Sequence, residues 1–431
     1  MRAKTIITSA LLLSFHLPLI FAEDSWSSFQ NGGQPYAREG HLPLKWNVSE
    51  GITWTTPLDG YGQSSPVIWN DAVYVTFCSG DNKENLHIRS VALGSGNTNW
   101  EHKFANASPE EASNYVSKAA PTPVVDADGV VAFFEGGNLI ALEHDGSVRW
   151  QRDLVKEYGA IAARHGLGAS LEHDEQWVYV WVERTEEPYV LAADKKTGET
   201  KWKVPGVGAT AWSSPRLVPV DGEQHLVLSA SGRIVGLDPA TGKQLWKFED
   251  IASNTTCTPM PLGKGRFLIG ASEGRGEESA AGPKSCGVIG IERNEQGEFS
   301  ARYVWRSDKA TSSFGSPIAA DGNAYFVNRS GVVYCLDLES GEQHYAQRTD
   351  SSTWATPIHC DDRIYLFGRS GTTTVLATGD KFKVLAENPL WKSEEAAEGA
   401  FGSVLYAAAV ADGKCVLRRG DRLYCVATNG D

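Results

Sequence analysis

The feature that most constrains this chain is a short phrase that keeps returning. In its fullest form it runs Leu237-Asp238-Pro239-Ala240-Thr241-Gly242-Lys243-Gln244-Leu245-Trp246. Asp238 can accept backbone N–H groups across a turn and Pro239 presets φ. Gly242 suits a left-handed position, and Trp246 opens a strand with a large surface to bury. Gly198 precedes Trp202, Gly341 precedes Tyr345, Gly96 precedes Trp100 and Gly146 precedes Trp150, each by the same four residues. A Gly and an aromatic at one fixed offset, five times over, is an internal repeat, and a repeat fixes the architecture before any other consideration.

Around this phrase the chain spells one unit eight times. Each opens with small polar residues, often followed by Pro, as at Ser65-Pro66, Thr122-Pro123, Ser214-Pro215, Thr258-Pro259, Ser316-Pro317 and Thr356-Pro357. Short runs rich in Val, Ile, Tyr and Phe follow, separated by Gly- or Asp-containing turns, which is the pattern of strands in hairpins. Third strands number eight, the last at Leu423–Val426. Fourth strands are expected to begin near Trp100, Trp150, Trp202, Trp246, Trp305, Tyr345 and Trp391, which is only seven. The chain ends where the eighth is due. A strand around Trp54 has no partner before it and fits the vacancy. The expected fold is all-β, an eight-bladed propeller of four-stranded antiparallel blades, closed by an N-terminal strand that completes the last blade and leaves no broad open edge.

Arg2 and Lys4, an apolar run from Ile6 to Leu13, and Ala22 before Glu23-Asp24 read as a secretory signal peptide over residues 1–22. Residues 23–45 read as an irregular arm and 46–431 as one propeller domain. Loss of the signal would move the formal charge from −13 to −15, since it removes Arg2 and Lys4 and no acid. Such a surface repels nucleic acid and anionic membrane, and no later segment suits a bilayer span. The chain therefore reads as a periplasmic or secreted monomer. Seven Cys include Cys415 and Cys425, which flank a hairpin turn and are candidates for a disulfide. None has zinc spacing, so no metal site is expected.

The L-D-x-x-T-G-x-x-x-W phrase with its preceding S-S-P strand resembles the repeat of the pyrroloquinoline quinone (PQQ)-like β-propellers, over roughly residues 46–427. That superfamily includes quinoprotein alcohol dehydrogenases and the propeller lipoprotein of the outer-membrane assembly machinery. For a dehydrogenase the resemblance implies PQQ at the axis over calcium, an Asp base and a disulfide between adjacent Cys. This chain has no adjacent Cys pair. Nor does it have a lipidation Cys after Ala22.

The repeat aromatics, Trp54 included, read as packing between blades. Binding is expected where the innermost strands begin, because those positions converge on one mouth of the central channel. Going round, they are Gln63, Lys118, Arg164 with His165, Trp212 with Ser213, Thr256, Phe314, Trp354 and Phe401. Aromatic faces beside a few cationic groups suit a glycan or anionic ligand, or a protein hot spot. No nucleophile accompanies His165, so no catalytic residue is assigned. Arg419-Gly420-Asp421 spells an adhesion tripeptide but sits where a turn is needed. The expected function is a non-catalytic binding or scaffold module; the alternatives are a PQQ- and calcium-dependent dehydrogenase with a degenerate site and a role like that of an outer-membrane assembly factor.

Overall fold

A computed structural model describes residues 25–34, 42–111, 116–163, 165–274, 283–391 and 403–428. The signal-peptide segment, Arg164 and Phe401 lie outside the described residues. Eight antiparallel sheets surround one axis. Seven are built from consecutive strands, the first being Val67–Trp69, Ala72–Ser79, Asn85–Ala92 and Thr98–Ala105. The eighth takes Leu405–Ala411, Lys414–Arg419 and Arg422–Ala427 from the C-terminal end and Ile52–Pro57 from the N-terminal end. Trp54 lies opposite Cys425, and Thr55 opposite Tyr424. The ring closes as the strand count requires.

The innermost strands are shorter than the sequence suggests, because they start after the Pro. Those of blades 2 and 6, for example, are Val124–Asp126 and Ile318–Ala320, and that of blade 3 is only Glu172–His173. Pro has no N–H for a ladder, and the N–H of the Ser or Thr before it serves the neighbouring blade. Ser65 N–H donates to Thr122 Oγ1 (3.0 Å), Thr122 to Ser170 Oγ (3.1 Å) and Ser170 to Ser214 Oγ (2.9 Å). Ser214 then donates to Thr258 Oγ1 (2.9 Å), Thr258 to Ser316 Oγ (2.9 Å) and Ser316 to Thr356 Oγ1 (3.0 Å). This belt of hydroxyls passes through blades 1 to 7. Each bond contributes about 1 kcal/mol net, and together they fix the blades' radial positions. In blade 8 the matching place holds Tyr406, which has no short hydroxyl to offer.

Farther out, the repeated Gly and Trp meet across blade boundaries and not within a unit. Trp100 Nε1 donates to His144 O (2.7 Å), Trp150 to Lys195 O (2.9 Å), Trp202 to Pro239 O (2.8 Å) and Trp305 to Leu338 O (2.8 Å). Each indole lies on the turn glycine of the following blade: Gly146, Gly198, Gly242 and Gly341. A Cβ on any of these would come within 2.6–2.7 Å of the ring, and all four have φ between +73° and +86°. Position and conformation both demand glycine.

Three aromatics depart from this pattern. Trp246 donates to His225 Nδ1 in its own blade (3.0 Å), and the next blade's turn is rebuilt around Asn294–Gly297. Tyr345 packs edge-on to Phe382. Trp391 follows its blade's fourth strand, Val384–Pro389, and does not begin it; it lies against Tyr424 of blade 8. Trp305 likewise stands near the end of Phe299–Arg306. The disulfide expectation is also corrected. Cys415 pairs in the ladder with Val426, and Cys425 with Val416, so the one-residue offset sends the two side chains to opposite faces of the sheet. All seven Cys are buried free thiols.

Candidate functional site

Call the front of the ring the side on which innermost strands begin. The arm reaches the axis from the back. Ser25 and Trp26 add a short strand inside blade 1, opposite Trp69 and Ile68. Ser27 O accepts from Val125 N of blade 2 (2.8 Å). A tight turn through Gln30, Asn31 and Gly32, all at positive φ, then brings Gln30 Nε2 to Thr356 Oγ1 of blade 7 (2.8 Å). A Cβ on Gly33 would meet Pro261 Cδ of blade 5 at 2.5 Å. The chain resumes at Leu42 on the back of blade 7, where Leu42 O accepts from Tyr365 OH (3.1 Å).

Arg216, fully buried at the start of blade 4's inner strand, holds this arm. Its Nη2 donates to Phe29 O (2.9 Å) and Gln30 Oε1 (3.2 Å), and its Nη1 to Glu172 Oε2 (3.1 Å). Burial lowers the pKa of the guanidinium while Glu172 raises it. The pairing keeps the charge inside the protein, since a buried cation without a partner is costly.

In front of the arm remains an axial cavity of about 260 Å³. Phe314, Trp354 and Tyr406 line its front, and Trp26, Phe29 and Gln30 its floor. The Phe314 and Trp354 rings meet at 5.0 Å between centroids, inclined by 47°. The guanidinium of Arg369, from a turn of blade 7, lies 4.5 Å from the Trp354 ring centroid. Phe314 is 42% exposed. An exposed aromatic pair backed by a cation presents a flat apolar surface that keeps its shape.

The other expected mouth residues mostly tie blades together. Gln63 and Lys118 exchange bonds: Gln63 N–H donates to Lys118 O (3.0 Å) and Lys118 N–H to Gln63 Oε1 (2.9 Å). The Lys118 ammonium lies 5.4 Å from the Tyr61 ring centroid, and Tyr61 OH meets Tyr406 OH at 2.8 Å. The N–H groups of Trp212 and Ser213 both donate to Thr255 O. Ser213 Oγ donates to Ser229 O (2.6 Å) and Thr256 Oγ1 to Ser313 O (2.8 Å). His165 tilts against Trp212 at 6.3 Å. Of the ten residues expected at the mouth, Phe314 and Trp354 line the cavity; His165, Trp212 and Lys118 stand around it on the front face. Arg369, Tyr406 and the arm's Gln30 were not anticipated. Tyr406 had one visible sign, its place where other units carry Ser or Thr.

The Arg419-Gly420-Asp421 tripeptide is a turn. Arg419 pairs with its own Asp421 (2.5 and 2.8 Å), and Gly420 lies under the Tyr61 ring, 2.1 Å from where a Cβ would stand.

An eight-bladed ring closed by its own N-terminal strand, plugged from the back and open to the front, defines the class as a closed β-propeller. The chain belongs to the PQQ-like β-propeller family whose profile is described as outer membrane protein assembly factor BamB, matching over residues 44–165, 87–260 and 298–431. Among solved structures it is similar to BamB from Moraxella catarrhalis (TM-score 0.60, 14% identity, covering 88% of this chain and 98% of that one). It is similar to the same degree to a quinohemoprotein alcohol dehydrogenase from Comamonas testosteroni (TM-score 0.60, 12% identity, covering 95% and 81%). The computationally designed Ika8 protein also matches (TM-score 0.58, 12% identity, covering 86% and 98%). No curated protein sequence matches the chain. At these identities the likeness concerns the fold. Among the described residues no helix is long and apolar enough to cross a membrane.

Proposed function

We propose that this protein is a non-catalytic binding or scaffold module that engages a partner protein through its front face. The observation that carries the reading is the Phe314–Trp354 pair, stacked on Arg369, at the open end of a cavity whose far end the protein's own arm fills. Two polar groups in that cavity, Gln30 and Tyr406, already have partners within the chain. An apolar side chain therefore suits the site better than a sugar, which needs free donors and acceptors. Assembly of envelope proteins, as in the name of the matching family, is one concrete form of this role, with the chain acting as a periplasmic or secreted monomer.

The reading includes neither PQQ nor calcium. The residues lining the axial cavity comprise no carboxylate to ligate calcium and no lysine or arginine for an anionic quinone. The nearby Arg216 is held by Glu172 and the arm. A dehydrogenase would need the arm displaced. Two measurements test the proposal. A photo-crosslinking side chain at Phe314 should capture a partner in envelope extract, and Trp354→Ala should abolish the capture without altering the unfolding midpoint by more than about 1–2 kcal/mol equivalents. Calorimetric titration with PQQ and calcium should show no saturation; saturable binding would transfer support to the dehydrogenase alternative.

A further inference from the structure

The polar insert after blade 1 is not absorbed by this reading. Its described part folds back over the front of blades 1 and 2. Glu110 N–H donates to Asn82 O (3.0 Å), Asn106 Nδ2 to Lys83 O (2.9 Å), and Ala107 N–H to Asn138 Oδ1 (2.7 Å). Beneath it Lys83 is buried in a left-handed conformation (φ +55°). Its ammonium donates to Glu110 Oε1 (2.7 Å) and Ser117 O (3.0 Å) and stops 3.7 Å from Glu135 Oε1.

Glu135 stands in the turn between the second and third strands of blade 2, with its side chain only 8% exposed. Its Oε1 accepts from Ala119 N–H (2.9 Å). Its Oε2 is buried without a hydrogen-bond partner. A buried carboxylate oxygen left without a donor is costly, and Lys83 is too far away and otherwise engaged. Glu135 and Glu110 together line a cleft of about 490 Å³ between blades 2 and 3. The facing wall is small-residued, with Gly136, Ala162, Ala163 and Gly166.

We propose that this cleft binds a primary ammonium or guanidinium group, which donates to Glu135 Oε2 and Glu110 while its aliphatic stem lies along Ala162 and Ala163. A cation rich in N–H groups supplies the missing donor, and the small wall leaves room for a stem of methylene width. A metal ion suits the place less well, because an ammonium already stands between the carboxylates and the described residues contain no cluster of three metal-ligating side chains. The group could belong to a free polyamine or to a Lys or Arg side chain of a protein docked on the front face.

The test is NMR titration of the protein lacking residues 1–22, at constant ionic strength, with n-butylammonium, spermidine, and a Gly-Lys-Gly peptide beside its Nε-acetylated form. The expected result is saturable shifts at Glu110, Glu135 and Ala163 with the cationic probes and none with the acetylated peptide. Glu135→Gln should weaken binding by about tenfold or more, the effect of removing one charged partner from a buried contact. If Glu135→Gln does not fold, Glu110→Gln, on the half-exposed insert, should weaken it several-fold. Tighter binding of the peptide than of spermidine assigns the site to a protein side chain, and the reverse order assigns it to a free amine. The proposal is overturned if no cationic probe shifts these residues, if the acetylated peptide binds equally, or if both substitutions leave affinity unchanged.

Discussion

Trp54 donates its indole N–H to the carbonyl of Leu93 at 2.8 Å and lays its ring on Gly96, so the fourth strand of blade 8 is joined to blade 1 by the same contact that joins four other blade pairs. The junction between the chain's two ends is thus chemically equal to those within it. Trp54→Ala should lower unfolding free energy by about 3–5 kcal/mol, the cost of removing a buried aromatic. Gly96→Ala should also destabilise, because its Cβ would stand 2.6 Å from the indole and φ is +71°. Denaturant unfolding checks both. Equal stability of Gly96→Ala and the parent would show that this contact does not carry the closure.

The arm makes a second prediction. Replacing Arg216 by Met leaves Glu172 buried without its counter-charge and frees the Phe29 carbonyl, which should cost about 3–5 kcal/mol. Pairing that change with Glu172→Gln should recover much of the loss. A double-mutant cycle measured by chemical denaturation separates the pair from the packing.

Asp421 sets an acid limb. Partial burial acts to raise its pKa, but the hydrogen bond and charge of Arg419 hold it below the ordinary aspartate value. A carboxyl whose folded pKa is depressed contributes stability above its unfolded pKa, near about 3.9, and loses it as pH falls through the folded value. The protein should therefore lose stability below about pH 4, and Asp421→Asn should flatten that limb. Urea midpoints between neutral and acidic pH decide it; an unchanged slope in the variant would remove Asp421 from the account.

Thiol chemistry checks the corrected disulfide. Burial pushes the Cys257 thiol up to about 11 and that of Cys425 up to about 12. Thiolate is the reactive form, so all seven Cys should resist an aromatic disulfide reagent in the native protein and react on unfolding. A mass consistent with a Cys415–Cys425 bridge would contradict the register described above.

The ring was legible because its determinants are local. A turn glycine, an aromatic and a Ser/Thr-Pro step each leave a mark at fixed spacing, and eight third strands against seven fourth strands demanded Trp54 as the closing piece. The site was only partly legible. Phe314 and Trp354 stand at equivalent places in successive units, so geometry brings them together. Arg369 reaches Trp354 from a different turn of its blade, and no spacing rule links the two. The arm was least visible, since its contacts with Arg216, Val125 and Thr356 join residues hundreds of positions apart and its composition reads as loop. The tryptophans carried a subtler lesson: each serves the glycine of the next unit, which a single repeat examined alone conceals.

Blade 8 draws its outermost strand from near the start of the chain and its other three from the very end. During synthesis, seven sheets can form in order while the segment around Trp54 waits unpaired for its neighbours to emerge. Completion depends on a contact spanning most of the polypeptide, which makes it the slow and vulnerable step. A ribosome stalled before Arg422 would leave a nearly finished ring exposing an open sheet edge, a natural target for chaperones and proteases.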